Sequence, residues 1–343
     1  MIRAVIAAGS ASLRSRVAHA LAGETDISVI IAVGTAHDAI EATKRHKPDI
    51  VIMGIELPPQ GGFETTKQIM IEAATPIAIV ADSEDSRQVE ISMRALRAGA
   101  LTVLTVPNAS SSRENDSHLK IFISDIKAMS QVRVVRQWRR AAPDPAPGAA
   151  DNGERRHIGV IAIAASTGGP AALHRILSDL PASFPVPILV VQHITPGFID
   201  GFADWLRGSC ALNVSMATDG ATIKPHTIYL GPDGRHLGLS GRSTIVLNDG
   251  PPMEGFKPSA SYLFQSIANV YRSDAIGVVL TGMGRDGIDG LLTLHKSGGH
   301  VIAQDEASSI VFGMPGTAIA TNVVNDVLPL KDIAAKLMTL VGV

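Results

Sequence analysis

Short apolar runs alternate with amphipathic stretches along the first hundred residues. RAVIAA, ISVIIAV, DIVIMGI, PIAIVA and LTVLTV have the length and β-branched content of strands. Helical periodicity begins between them, near Ser10, Ala36, Phe63 and Ser86, and Leu13, Val17 and Leu21 share one helix face. Strand and helix alternating at this spacing predict a parallel sheet with helices on both faces, a (βα)5 unit. A further helix, His118 to Arg140, closes it. AAPDPAPGAADNGE then breaks all periodicity with Ala, Pro and Gly, as an interdomain linker does.

The alternation resumes with IGVIAIAA, VPILVVQH, TIYLGP, STIVLND, IGVVLTG and HVIAQD, joined by Gly- and Pro-rich connections. This predicts a second, doubly wound and mostly parallel α/β domain, with a hairpin around Pro232–Asp233–Gly234. The expected division is 1–140, a linker at 141–156, and 157–343.

Composition narrows the function classes. A hydrophobic share of 45% in 343 residues is enough for two cores, and only 4% aromatics leaves Ala, Val, Ile and Leu to build them. A net charge of -2 argues against a general nucleic-acid binder, and the basic end VRVVRQWRR is read as a solvated helix end. The single Cys210 permits no internal disulfide, which fits a reducing, cytoplasmic setting. No apolar run is long enough for membrane insertion. Arg14 and Arg16 interrupt the N-terminal apolar stretch, so it is read as strand and helix rather than leader.

Three segments of the second half carry candidate chemistry. IAIAASTGGPAAL runs from a strand into Ser166, two glycines and a helix start at Pro170, setting a hydroxyl beside backbone N–H donors. VVQHITPGF puts His193 at another strand end, the edge where parallel sheets build sites. His226 and His236 flank a turn, while His174 and His295 read as helix-surface residues. VVLTGMGRDGIDGL offers Asp286 near the strand end and Asp289 within the first helical turn; Asp286 is the better acid to orient an imidazole. Phe198, Phe202 and Trp205, at i, i+4 and i+7, fit either a core-packed helix face or a platform for a partner helix.

ASTGGP, QHITPGF, NDGPP, KPSASYLF, LTGMGRDG and AQDEASSIVFGMPG together resemble the catalytic domain of the chemotaxis receptor methylesterase family, over essentially all of Ile158 to Val343. The resemblance implies Ser166 as nucleophile, His193 as general base and acid, and Asp286 as its orienting group. It also implies an oxyanion hole from the backbone N–H groups of Thr167 and Met283, with no cofactor and no metal. The implied reactions are hydrolysis of γ-glutamyl methyl esters on the cytoplasmic helices of chemoreceptors and deamidation of glutamines there. Ala164 departs from the family's usual glycine, and Phe256, Lys257 and Ser261 from its usual His, Arg and Asp, which bears on substrate docking. The rival readings are a non-enzymatic signalling adaptor on the same fold, and an esterase or deamidase acting on a helical protein outside chemotaxis.

The first half resembles a response-regulator receiver. The resemblance places Ala8 and Gly9 at the acidic pair, Gly54 at the phosphoryl acceptor, Ala81 at the hydroxyl position and Val106 at the lysine position. Every group that would hold Mg²⁺ or a phosphoryl oxygen is gone. Glu56 and Asp82, nearby, do not replace the constellation. In the family the unmodified receiver covers the catalytic face until phosphorylated. This chain is therefore expected either to be constitutively competent or to respond to a signalling protein that docks on its pseudo-receiver.

Overall fold

The computed structural model describes residues 1–81, 94–95, 98–106, 113–131, 157–194 and 196–343, with side chains excepted at 113–118 and 121. The chain divides into two units, Met1–Ala149 and Ala150–Val343. The expected linker at 141–156 and the helix start near Ser86 lie outside the described residues.

In the first unit, β1 (Ile2–Ala7), β2 (Ile27–Val33), β3 (Ile50–Gly54), β4 (Ile77–Ala81) and β5 (Thr102–Thr105) form one parallel sheet. Its order is β2-β1-β3-β4-β5, a doubly wound arrangement. β3 and β4 are buried along their whole length, as strands covered on both faces must be. Helices Ala11–Leu21 and Ala36–His46 begin where Ser10 and Thr35 accept the N–H groups of Leu13 and Asp38, each at 3.2 Å. Leu13, Val17 and Leu21 are the buried face of the first. The last helix of this unit is described over Arg113–Ser130, beginning earlier than the expected His118; its expected continuation to Arg140 lies outside the described residues.

The second unit holds a seven-stranded parallel sheet. Its strands are β6 (Val160–Ala165), β7 (Ile188–Gln192), β8 (Asn213–Met216), β9 (Thr227–Leu230), β12 (Ala275–Val279), β13 (His300–Gln304) and β14 (Asp326–Leu328). They run in the order β14-β13-β12-β6-β7-β9-β8. β6, β7 and β12 are wholly buried. From β6 the chain winds one way to β7; from β12, on the other side of β6, it winds the opposite way to β13. The crevice beyond the carboxyl ends of β6 and β12 is therefore the topological switch point, where such sheets bind ligands.

The expected hairpin at Pro232–Asp233–Gly234 is corrected. Both edges of β9 are taken, by β7 and β8, so the next strand cannot fold back onto it. Instead β10 (His236–Ser240) leaves the sheet and pairs antiparallel with β11 (Thr244–Asn248), turning at Gly241. No helix among the described residues is long and apolar enough to cross a membrane.

Candidate active site

β6 and β7 are neighbours in parallel register, Ala165 opposite Gln192, so the next residue of each strand, Ser166 and His193, leaves the same sheet edge side by side. The His193 N–H closes this edge by donating to the Ala165 carbonyl at 2.8 Å. β12 on the other flank delivers Thr281–Gly282–Met283, and the Ser166 N–H donates to the Thr281 carbonyl at 3.1 Å. Gly282 permits this approach, because a Cβ there would stand 2.7 Å from the Ser166 Cβ.

His193 Nε2 lies 2.9 Å from an Asp286 carboxylate oxygen, with both side chains almost completely buried. The approach is close but does not make an aligned hydrogen bond, and neither ring nitrogen has an aligned partner among the described residues. Resting geometries of this kind tighten when substrate arrives. Asp286 faces Nε2, so Nδ1 is the ring nitrogen not turned to the carboxylate.

Asp286 is held by the start of helix Ala260–Tyr271. Its oxygens accept the Ser259 hydroxyl at 2.7 Å and the N–H groups of Ala260 at 2.7 Å and Ser261 at 3.1 Å. Burial pushes this carboxyl up, but the His193 contact, the Ser259 hydroxyl and the Ala260 N–H outweigh it, and the group sits below the ordinary carboxylate value. Ser261 in turn accepts the Gly287 N–H at 2.8 Å, fixing the turn that carries Asp286. Asp289 is exposed, in the first turn of helix Ile288–Lys296.

The backbone N–H groups of Thr167 and Met283 donate to no acceptor among the described residues. The two loops carrying them are tied together. The Thr281 hydroxyl lies 3.0 Å from the Thr167 carbonyl and accepts the Val311 N–H at 2.8 Å, and the Thr281 N–H donates to the Gln304 side chain at 2.9 Å.

Gln192 adds a clamp not singled out in the sequence. Its amide donates to the carbonyls of Ser166 at 2.8 Å and His193 at 2.7 Å, tying the two strand ends together. Gly169 leaves room for it, since a Cβ there would lie 2.1 Å from Gln192 Oε1. A sequence signal exists: ILVVQ and HVIAQ are apolar strands ending on an amide that is buried, and both amides bridge site loops.

Phe256 and Ser261, expected to bear on docking, stand against the His193–Asp286 pair; Phe256 stacks on the imidazole, with centroids 4.1 Å apart. Lys257 instead reaches the Asp249 carbonyl at 2.9 Å. His236 is buried, accepting the Ser259 N–H on Nδ1 at 3.1 Å, with Nε2 3.0 Å from the Pro251 carbonyl. Phe198, Phe202 and Trp205 are buried, which makes them core and removes the platform alternative; His174 stacks on Trp205. Beside the pair opens a cleft of about 500 Å³ lined by Glu254, Phe256, Gly284, Arg285 and Asp289. Glu254 is pushed up there by partial burial and by the carboxylates of Asp286 and Asp289.

In the first unit, Ala8, Gly9, Gly54, Ala81 and Val106 also gather at one carboxyl sheet edge. That edge is filled. A Cβ on Gly54 would stand 2.7 Å from the Ala8 Cβ, and one on Gly9 would stand 2.9 Å from the Glu56 carbonyl. The Arg14 guanidinium donates to the carbonyls of Ala8 at 2.5 Å and Gly9 at 3.0 Å. Glu56 is exposed, and Asp82 lies outside the described residues.

Fold and site together define a hydrolase built on a parallel α/β sheet and preceded by a receiver-like unit. Residues 161–337 match the family model for the CheB methylesterase and residues 5–112 that for the response regulator receiver domain, and the chain belongs to the CheB methylesterase family. It is 46% identical to the protein-glutamate methylesterase/protein-glutamine glutaminase of group 3 operon of Rhizobium meliloti, over 97% of this chain and 95% of that protein. Identity to protein-glutamate methylesterase/protein-glutamine glutaminase 4 of Myxococcus xanthus is 43%, over 98% and 96%. The crystal structure of the Thermotoga maritima CheB methylesterase catalytic domain superposes with a TM-score of 0.53 at 38% identity, covering 53% of this chain and 98% of that one.

Proposed function

We propose that this chain hydrolyses γ-glutamyl methyl esters on the helices of chemoreceptors, in the cytoplasm, and deamidates glutamines at such positions. The observation carrying this reading is the 2.9 Å contact of Asp286 with His193 Nε2, which leaves Nδ1 for the serine of the neighbouring strand. Ser166 Oγ attacks the ester carbonyl carbon while its proton passes to Nδ1. Asp286, held ionised by the helix start, stabilises the imidazolium. The N–H groups of Thr167 and Met283 stabilise the oxyanion, typically worth about 3–4 kcal/mol per donor. The C–O bond breaks, methanol leaves with the proton from Nδ1, and an acyl-enzyme remains on Ser166. Water then gives its proton to Nδ1 and attacks the acyl carbon, returning glutamate and free serine. A glutamine substrate follows the same course with ammonia leaving, so one site serves both reactions.

We further infer that phosphoryl transfer is not the switch. Among the described residues the sheet edge of the first unit has neither acceptor nor metal carboxylates, and Arg14 and Ala8 fill the place where they would stand. Regulation, if the first unit exerts it, runs through a signalling protein docked there. The test is incubation with methylated receptor and mass spectrometry for methyl ester loss and glutamine deamidation, comparing the full chain with a fragment beginning near Glu154. Equal rates for the two would remove any inhibitory role for the first unit. No turnover by either would remove the esterase reading.

A further inference from the structure

A buried histidine is usually oriented by a hydrogen bond to one ring nitrogen, yet neither nitrogen of His193 has an aligned partner among the described residues, Asp286 approaching Nε2 without alignment. A second contact lies on the ring's face. The Phe256 ring lies parallel to it, 4.1 Å between centroids and 11° between planes. Offset or parallel aromatic contacts of this kind are favourable and directional.

Phe256 is itself locally built. Met253 and Phe256 exchange reciprocal backbone hydrogen bonds, at 3.1 and 2.9 Å, around Glu254 and Gly255. Both of these have positive φ, 50° and 85°, the signature of a two-residue hairpin turn of primed type. Three residues beyond Phe256, the last of the turn, Ser259 and then Ala260 and Ser261 bind Asp286. One short segment, 253–261, therefore grips both members of the pair: the face of the imidazole through Phe256, and the carboxylate through the helix start.

We propose that Phe256 is a positioning residue for His193, held by the Glu254–Gly255 turn so that its ring keeps Nε2 toward Asp286 and Nδ1 toward Ser166. This rests on the esterase reading above. The ring also walls the cleft with Glu254 and Arg285, so a purely substrate-binding role is the competing explanation, and kinetics separate the two. A positioning role affects the chemical step; a binding role affects KM.

The test uses the full chain with methyl-esterified receptor as substrate. Phe256→Leu keeps apolar bulk but loses the flat face, and is expected to lower kcat about tenfold with KM within about twofold. Phe256→Tyr keeps the ring and restores kcat to within about twofold of the parent. Gly255→Ala, where no neighbour would be struck but the positive φ is strained, shifts the turn with Phe256 intact and lowers kcat in the same direction. It decides the matter if the leucine variant does not fold. Proton NMR of the His193 ring supplies a readout independent of turnover, its resonances displaced by the stacked ring in the parent and Tyr variant and released in the Leu variant. A raised KM at unchanged kcat, parent-like kinetics in both Leu and Gly255→Ala, or His193 resonances that ignore the Leu substitution would each overturn the proposal. An inactive parent with ring-shifted His193 would instead overturn the esterase reading alone.

Discussion

The Ser259 hydroxyl donates to Asp286 at 2.7 Å from the residue that caps helix Ala260–Tyr271, so the helix start and the Asp286 carboxylate are one structural unit. The same oxygen accepts the Tyr262 N–H at 3.3 Å. Ser259→Ala removes both bonds at a fully buried position. Chemical denaturation should show a loss of about 1–2 kcal/mol. Methanol release should fall through kcat, since the carboxylate loses a donor that keeps it ionised and aligned.

Gln192 tests the clamp between the strand ends that carry Ser166 and His193. Gln192→Glu replaces the amide donor with an acceptor facing two carbonyls, in a site with no room to turn. Unfolding measurements should register a loss of about 1–3 kcal/mol or more. If the clamp also sets the Ser166–His193 spacing, kcat at a temperature where the variant is folded falls with it; a destabilised variant with parental kcat would make Gln192 a stability residue only.

Asp326, at the far end of the same sheet, gives a pH signature unrelated to catalysis. Burial pushes its carboxyl up, but His300 at 2.5 Å and Lys336 at 3.1 Å prevail and hold it below the usual value. A carboxylate depressed on folding contributes stability that is present above its unfolded value, near 3.8, and lost as pH falls through the lower folded value. Asp326→Asn should therefore be less stable than the parent at pH 5–7, with the gap closing below about pH 4. Methanol release at neutral pH should be unchanged.

Much of this was legible in the chain because buried parallel strands announce themselves. IVIMG and VIAIAA are apolar throughout; the first ends on Gly54 and the second runs directly into Ser166. The short edge strands were not legible: NVSM and DVL are only four and three residues long, partly exposed, and owe their strand form to one neighbour each, β9 and β13. The β10–β11 hairpin escaped for a topological reason, because β9 had no open edge and only the sheet order reveals that. At the site, Ser166, His193 and Asp286 stood out by strand-end position. Their supports did not, since the bonds of Ser259 and Gln192 span 27 and 26 residues. The stacking of Phe256 on His193 was not legible either, because it depends on the Glu254–Gly255 turn that sets the ring's position.

The filled edge of the first unit makes its own prediction. Gly54→Asp restores an acceptor carboxylate in name only: its Cβ collides with Ala8, and no metal carboxylates stand beside it. Incubation with acetyl phosphate and Mg²⁺ should leave the variant unlabelled by intact-mass analysis, and the added side chain should cost about 1–3 kcal/mol of stability. A phosphorylated variant would show that the edge opens more readily than Arg14 and Ala8 indicate.

Acyl transfer by Ser166 without a phosphoryl switch, as proposed above, has a direct test. Methanol release from methylated receptor is followed for the parent chain and for Ser166→Ala, with no phosphodonor present. The Ser166 hydroxyl makes no hydrogen bond among the described residues, so the variant should fold with parental stability. Steady release by the parent and a fall of at least about 10³-fold in the variant are expected. Equal release by both, or parental release that begins only when a phosphodonor is added, would contradict it.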